Sequence, residues 1–250
     1  MAEATFTWYG HSCIELRTPG GKVVLLDPWF GNPTSPRSAD EISECDVMLV
    51  SHGHFDHLGS GPRQVAEADS LVIARRTSPI WVCMHELSLW LEMALEGSEV
   101  QVVGMNKGGK VDARGLSVSM VKADHSAGDW SEAGAGPLHL GEPVGFIIGL
   151  EDGTRVYYTG DTDVFGDMAM IRDMHKPDIA IMPIGGHYTM DPAGAARATS
   201  MLGVRAVIPV HYGTFPILAG TPHALKDELQ RIGCGAHVIA PERGVSTPLP

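Results

Sequence analysis

Basic residues are scarce in this chain: 18 Lys and Arg stand against 30 Asp and Glu, for a formal net charge of −12. Tracking a phosphate backbone takes clustered Lys and Arg, so broad nucleic-acid binding is excluded. Cysteine is also sparse. Cys13, Cys45, Cys83 and Cys234 lie far apart with no Cys-x-x-Cys pair, which excludes a thiolate zinc site and a dithiol redox motif and leaves reduced, mostly buried thiols. The most apolar stretch, 80–95, is broken by His85, Glu86, Ser88 and Glu92, and it is shorter than the ~20 residues a membrane helix needs. Met1 to Gly10 has no basic segment leading into an apolar one, so no secretory signal is read and a cytoplasmic location is expected. Linkers, charge blocks and fixed-period repeats are lacking too. One domain over 1–250, long enough to bury a substantial core, is the expectation.

Against that background one segment is dense in metal-binding groups. Residues 51–59, Ser-His-Gly-His-Phe-Asp-His-Leu-Gly, bring together His52, His54, Asp56 and His57. Imidazole nitrogens and carboxylate oxygens suit Zn²⁺ and its divalent neighbours, and four such groups supply more ligands than one ion normally takes. Two divalent ions are therefore expected, zinc first, with Mn, Fe, Ni or Co also admitted by this ligand chemistry. A lone loop histidine is usually a surface residue; four metal-competent side chains at this spacing reverse that reading. In an extended segment alternate side chains share a face, so His52, His54 and Asp56 are expected to point one way before the chain turns at His57. Asp46 to Val50 reads as a buried strand ahead of the run, and Pro62 suits the first turn of a helix after it.

Elsewhere the first half reads as strands at Thr5–Tyr9, Cys13–Thr18 and Lys22–Leu26, the last leading to Asp27-Pro28. Leu71–Ala74 and Val100–Val103 read as further strands. Between them Ser78–Glu96 reads as an amphipathic helix whose Trp81, Leu87, Trp90 and Leu91 serve a core or a homo-oligomer interface. Val111–Arg114 with Leu116–Val121, and Gly145–Leu150 with Arg155–Tyr158 around the Asp152-Gly153 turn, read as hairpins. Strands at Asp178–Met182, Ala206–Val210 and His237–Ala240 then alternate with helices at Val164–Met174, Pro192–Leu202 and Pro222–Ile232. Asp27, the run His52 to His57, His125, Asp161, His187 and His211 each fall just past the C-terminal end of an apolar strand. One rim of a sheet system is expected to gather them.

With these residues in place, the chain resembles the metallo-β-lactamase superfamily along nearly its whole length. The resemblance rests on their order: Asp27, His52-x-His54-x-Asp56-His57, then His125, Asp161 and His211. It is closest to the branch related to ascorbate-6-phosphate lactonases, through Trp8-Tyr9-Gly10-His11-Ser12, 104–109 (Gly-Met-Asn-Lys-Gly-Gly), Gly160-Asp161-Thr162, 183–190 (Pro-Ile-Gly-Gly-His-Tyr-Thr-Met) and 209–214 (Pro-Val-His-Tyr-Gly-Thr). The resemblance implies an α/β fold, a four-layer αβ/βα sandwich with the site at one edge of two facing sheets. It also implies His52, His54 and His125 on one metal, Asp56, His57 and His211 on the other, and Asp161 bridging. Asp27 would orient a ligand from outside the coordination sphere; a turn-forming Asp ahead of Pro28 is an equal alternative on the residues alone. Oxygen-reducing di-iron relatives carry Glu where this chain has His54, which favours hydrolysis over redox chemistry.

The implied activity is that of a metal-dependent hydrolase. Two divalent ions about 3.5–4 Å apart share a water and lower its pKa towards neutrality, so that the bridging hydroxide attacks a lactone, ester or phosphoester. Asp56 and Asp161 with one hydroxide leave two dications a surplus of positive charge, from which an anionic or strongly polar small-molecule substrate is expected. His187 is a candidate for proton transfer or oxyanion stabilisation, with a loop-closing role as the even alternative. His11, Asn106 and Lys107 are candidates for holding a phosphate or carboxylate. Two other functions compete: a phosphodiesterase or phosphotriesterase, and a non-catalytic protein that senses a ligand in the same pocket.

Overall fold

The computed structural model describes residues 2–60, 67–130 and 137–250. The chain forms two seven-stranded mixed sheets packed face to face. The first contains β1 (Thr5–Trp8), β2 (Ile14–Arg17), β3 (Val23–Leu26), β4 (Val47–Leu49), β5 (Ile80–Met84) and β6 (Gln101–Met105) in sequence order. The second begins with β7 (Lys110–Ala113) and β8 (Leu116–Lys122). A small separate pair, β9 (Asp129–Trp130) and β10 (Pro137–Leu138), intervenes before β11 (Val144–Gly149), β12 (Arg155–Tyr158), β13 (Ile179–Pro183), β14 (Ala206–Val210) and β15 (His237–Val238). The C-terminal β16 (Thr247–Pro248) returns to the first sheet beside β1.

Each sheet is antiparallel at one side and parallel at the other. β3 to β6 run parallel, as do β12 to β15. The inner parallel strands β3, β4, β13 and β14 are fully buried apolar runs, such as Val-Val-Leu-Leu in β3 and Ala-Val-Ile-Pro-Val in β14, because both of their faces are covered. Side chains alternate across the second sheet: Tyr158, Ile179 and Ile181 enter the core between the sheets, while Tyr157, Ala180 and Met182 face the outer helices.

Helices complete the four layers. α1 (Phe55–Leu58) is a single turn after β4. α2 (Asp69–Thr77) and α3 (His85–Ala94) bury Leu71, Ile73, Leu87 and Leu91 against the first sheet. α4 (Met168–His175), α5 (Pro192–Leu202) and α6 (Pro222–Arg231) cover the second. Asp191 caps α5 by accepting from Gly194 N, and Thr221 caps α6 by accepting from Ala224 N, each followed by Pro at the first helical position. No helix among the described residues is long and apolar enough to cross a membrane.

The architecture is the α/β sandwich the sequence implied, with two local departures. Leu71–Ala74 lies in α2, not in a strand, and residues 78–96 form β5 followed by α3 instead of one helix. A short, continuous apolar run carries no period that separates a buried strand from a buried helix. Ile80–Met84 is such a run, and its parallel pairing with β4 on one side and β6 on the other decides the matter; Trp81 is a fully buried core residue of that strand. α4 begins four residues later than the pattern suggested, and β15 ends two residues earlier. The helix start expected at Pro62 lies outside the described residues.

Candidate metal centre

The ligand run leaves β4 in extended form, and His52 lies fully buried at its end. The chain then turns at His54, not at His57 as the alternating pattern had suggested. His54 takes the extended backbone of a helix cap (φ −67°, ψ 150°), and α1 carries Asp56 and His57 away from it in one helical turn, closed by Gly59 at φ 86°. That turn divides the donors into two sets. Gly53 between them is required by packing, since a side chain there would collide with Leu140 and with the carbonyl of Ala127.

The second sheet supplies His125, Asp161 and His211 past the ends of β8, β12 and β14, and the β1–β2 turn of the first sheet adds His11. Donor atoms of His52, His54 and His125 all lie within 4.8 Å of one another, as do those of His11, Asp56, His57 and His211. Asp161 stands between the sets. Its Oδ2 is 3.0 Å from His211 Nε2, 3.2 Å from His57 Nε2 and 3.7 Å from His125 Nε2.

Asp27, fully buried past the end of β3, fixes the orientation of this assembly. Its Oδ2 accepts from His57 Nδ1 at 2.5 Å, from Ser51 Oγ at 2.5 Å and from the Tyr158 hydroxyl, while Oδ1 accepts from the Ser51 backbone at 2.7 Å. With its proton given to Asp27, Ser51 Oγ accepts from His52 Nδ1 at 2.9 Å. Both imidazoles therefore hold their Nδ1 protons in these bonds and turn Nε2 towards the centre, the arrangement by which a carboxylate sets the tautomer of a ligating histidine. Sequence reasoning missed Ser51 and Tyr158. Each adjoins a recognised motif, Ser51 directly before His52 and Tyr158 at the end of β12 three residues before Asp161.

His11 is closer to the centre than expected. It is fully buried, with Nε2 3.0 Å from Asp56 Oδ2 and Nδ1 3.0 Å from Thr214 Oγ1. His11, Asp27 and His211 all hold left-handed backbones, at φ 49°, 40° and 55°. Such conformations are costly for residues other than glycine and gather at functional sites.

Three expected residues lie elsewhere. His187 is exposed on a neighbouring shallow cleft with Asp124, Asp163 and Asp191, its ring edge-on to Tyr188 at 4.4 Å, and it does not line the cavity over the donors. The close approach allowed by Gly185 is made against the carbonyl of His211, where a side chain would collide, so this loop serves the backbone of the site. Asn106 and Lys107 occupy the turn from β6 to β7, where Lys107 pairs with Glu142. Neither lines the cavity, whose walls come from other segments.

The profile of the beta-lactamase superfamily domain matches residues 22–212. A "UPF0173 metal-dependent hydrolase" of Myxococcus xanthus is 39% identical over 243 residues, which cover 97% of this chain and 82% of that protein. A second, from Herpetosiphon aurantiacus, is 39% identical over 247 residues, covering 98% and 97%. The chain belongs to the UPF0173 metal-dependent hydrolases, within the metallo-β-lactamase superfamily. Among solved structures this UPF0173 protein is similar to Igni18, a metallo hydrolase of Ignicoccus hospitalis, at 31% identity and a TM-score of 0.82, covering 100% of this chain and 99% of that one.

The charge state of the UPF0173 site suits divalent cations. Burial, with His57 and His54 nearby, pushes His52 well below the ordinary histidine value, and burial lowers His54 and His125 as well. These three imidazoles are neutral, with lone pairs ready. Burial opposes charge on Asp56 and Asp161 too, but His57 beside the first and His211 beside the second outweigh it and hold both carboxyls well below the usual range. Conversely, Asp161 overcomes the burial of His57 and His211, raising the first well above the ordinary value and the second to about 9. His57 Nε2 and Asp161 Oδ1 are buried with no hydrogen-bond partner. Buried polar atoms are rarely left so, and a divalent cation that displaced the His57 proton would bind both.

Proposed function

We propose that the protein uses two divalent ions to hydrolyse a lactone, ester or phosphoester of a small molecule. The observation that carries this reading is Asp161 Oδ2, which lies within 3.7 Å of ring nitrogens from both donor sets. A single carboxylate oxygen between two sets of neutralisable imidazoles suits a bridging ligand for a pair of ions. Bound there, such ions supply a water acidic enough to attack near neutral pH and polarise the carbonyl or phosphoryl oxygen.

The protein residues fall into clear roles in this scheme. His52, His54 and His125 would hold one ion; Asp56, His57 and His211 would hold the other. Asp27, Ser51 and Tyr158 keep the rings turned inward, and His11 holds Asp56 by hydrogen bonding from the opposite side. Zinc suits the imidazole-rich donors, and Mn, Fe, Ni or Co are accommodated by the same atoms. The sequence resemblance to ascorbate-6-phosphate lactonases supports including lactones among the substrates.

Elemental analysis of protein purified without added metal, followed by a panel of chromogenic lactones, esters and phosphoesters, tests the proposal. Two ions per chain and metal-dependent turnover of at least one bond class are expected. Turnover that survives complete metal removal would end it.

A further inference from the structure

The cavity over the donors has roughly 530 Å³ of space, a size suited to a small organic ligand. Its floor is polar, formed by His11, His54, Asp56, His125, Asp161 and His211. Its mouth is different in kind. Phe55, Tyr188, Phe215, Ile217 and Leu218 line one side, Ser126 and Gly128 complete the wall, and no Lys or Arg lines it among the described residues. Tyr188, Phe215 and Ile217 are 62%, 36% and 47% exposed. Large apolar side chains left in water beside a polar reaction centre mark a ligand-binding surface.

These side chains are held in place. Buried Trp29 packs edge-on against Phe55 at 5.7 Å and tilted against Phe215 at 6.3 Å, and His11 meets Phe215 edge-on at 6.2 Å. Phe55 sits between His54 and Asp56 in sequence, and Phe215 follows Thr214, the partner of His11. Donor-bearing and apolar residues are thus neighbours on the same two segments, so a ligand held at the donors lies beside this wall.

We infer that the substrate carries an uncharged apolar group, an alkyl chain or an aryl ring, next to the bond that is cleaved. This rests on the hydrolase reading above and narrows it. The surplus positive charge of bound ions acts at the reacting centre only. A phosphate or carboxylate farther out on the substrate would meet Tyr188, Phe215 and Ile217, with no cationic partner in the wall among the described residues, and would lose hydration there without compensation. The expectation of an anionic substrate is therefore confined to the scissile group itself.

Matched pairs test this: p-nitrophenyl acetate and hexanoate, γ-valerolactone and γ-nonalactone, and the p-nitrophenyl diesters of methyl and hexyl phosphate. In the bond class that is turned over, kcat/KM should rise by about fourfold for each methylene that enters the mouth, and a terminal carboxylate on the longer chain should abolish the gain. Ile217→Ser, at an exposed position, should lower the long-to-short ratio by about tenfold, as should Phe215→Ala. Binding of acetohydroxamate and hexanohydroxamate to zinc-loaded protein, followed by calorimetry, reads the mouth without turnover. Tail-dependent binding with no turnover in any pair would refute the hydrolase reading while supporting the apolar mouth. Equal behaviour of short and long chains in both measurements, or preference for the carboxylate-tipped chain, overturns the inference and leaves the exposed rim to a second copy of the chain.

Discussion

His57 donates from Nδ1 to Asp27 Oδ2 across 2.5 Å, and both side chains are completely buried. The same carboxylate receives Ser51 and Tyr158, so three groups lose their acceptor if it goes. Asp27→Asn keeps a residue that tolerates the left-handed backbone but replaces the charge and one acceptor oxygen with an amide. Metal affinity should fall by about 10–100-fold, measured by competition with a chromogenic chelator. Wild-type affinity in this variant would show that Asp27 only makes the turn before Pro28.

Asp161 is the single carboxylate between the two donor sets. Asp161→Ala should cost metal content and turnover together, with bound metal dropping to one ion per chain or fewer. Elemental analysis of the variant beside wild type reads the first, and initial rates read the second. Full activity in a metal-depleted variant would defeat the bridging scheme.

The protons on His57 and His211 set a pH dependence for the metal-free protein. Both have folded-state values raised above the ordinary 6.5, His211 to about 9. A raised value contributes stability that is complete below the unfolded-state pKa and is lost as pH rises through the folded-state one. The Tm of the metal-free protein should therefore fall between pH 6.5 and about 9, while that of the loaded protein, whose imidazoles are already neutral ligands, should not follow it. Loading at pH 7 must also expel these protons. Calorimetric heats in Pipes and in Hepes should differ accordingly, and identical heats would contradict the assignment.

His187 lies outside the cavity wall and opens onto the neighbouring cleft. Proton transfer requires hydrogen-bond reach, so His187→Ala should leave metal content unchanged and kcat within about twofold. A loss of about a hundredfold, with metals retained, would restore the catalytic role that its motif suggested.

The candidate ligands were legible because metal coordination restricts residue type and strands restrict position: His52, His54, Asp56, His57, His125, Asp161 and His211 each follow a strand that could be read. The grouping of the first four was not. Alternation assigned Asp56 to the face of His52 and His54, whereas one turn of helix assigned it to His57, and a four-residue helix leaves no periodic trace. Ser51 and Tyr158 escaped notice because neither residue type is diagnostic; only the position of Asp27 in space gives them a task. Asn106, Lys107 and His187 show the converse, since motif membership located them near the sheet rim but said nothing about which side of a loop they would occupy.

Neither half of the sandwich carries a complete set of the candidate ligands. The first sheet and its loops provide His52, His54, Asp56 and His57; the second provides His125, Asp161 and His211. Ions seated here would act as rivets between the two leaves, coupling catalytic competence to mechanical integrity. Occupancy a thousandfold above the dissociation constant would add about 4 kcal/mol to the fold. Metal starvation would then loosen the seam between the leaves as well as silence the enzyme.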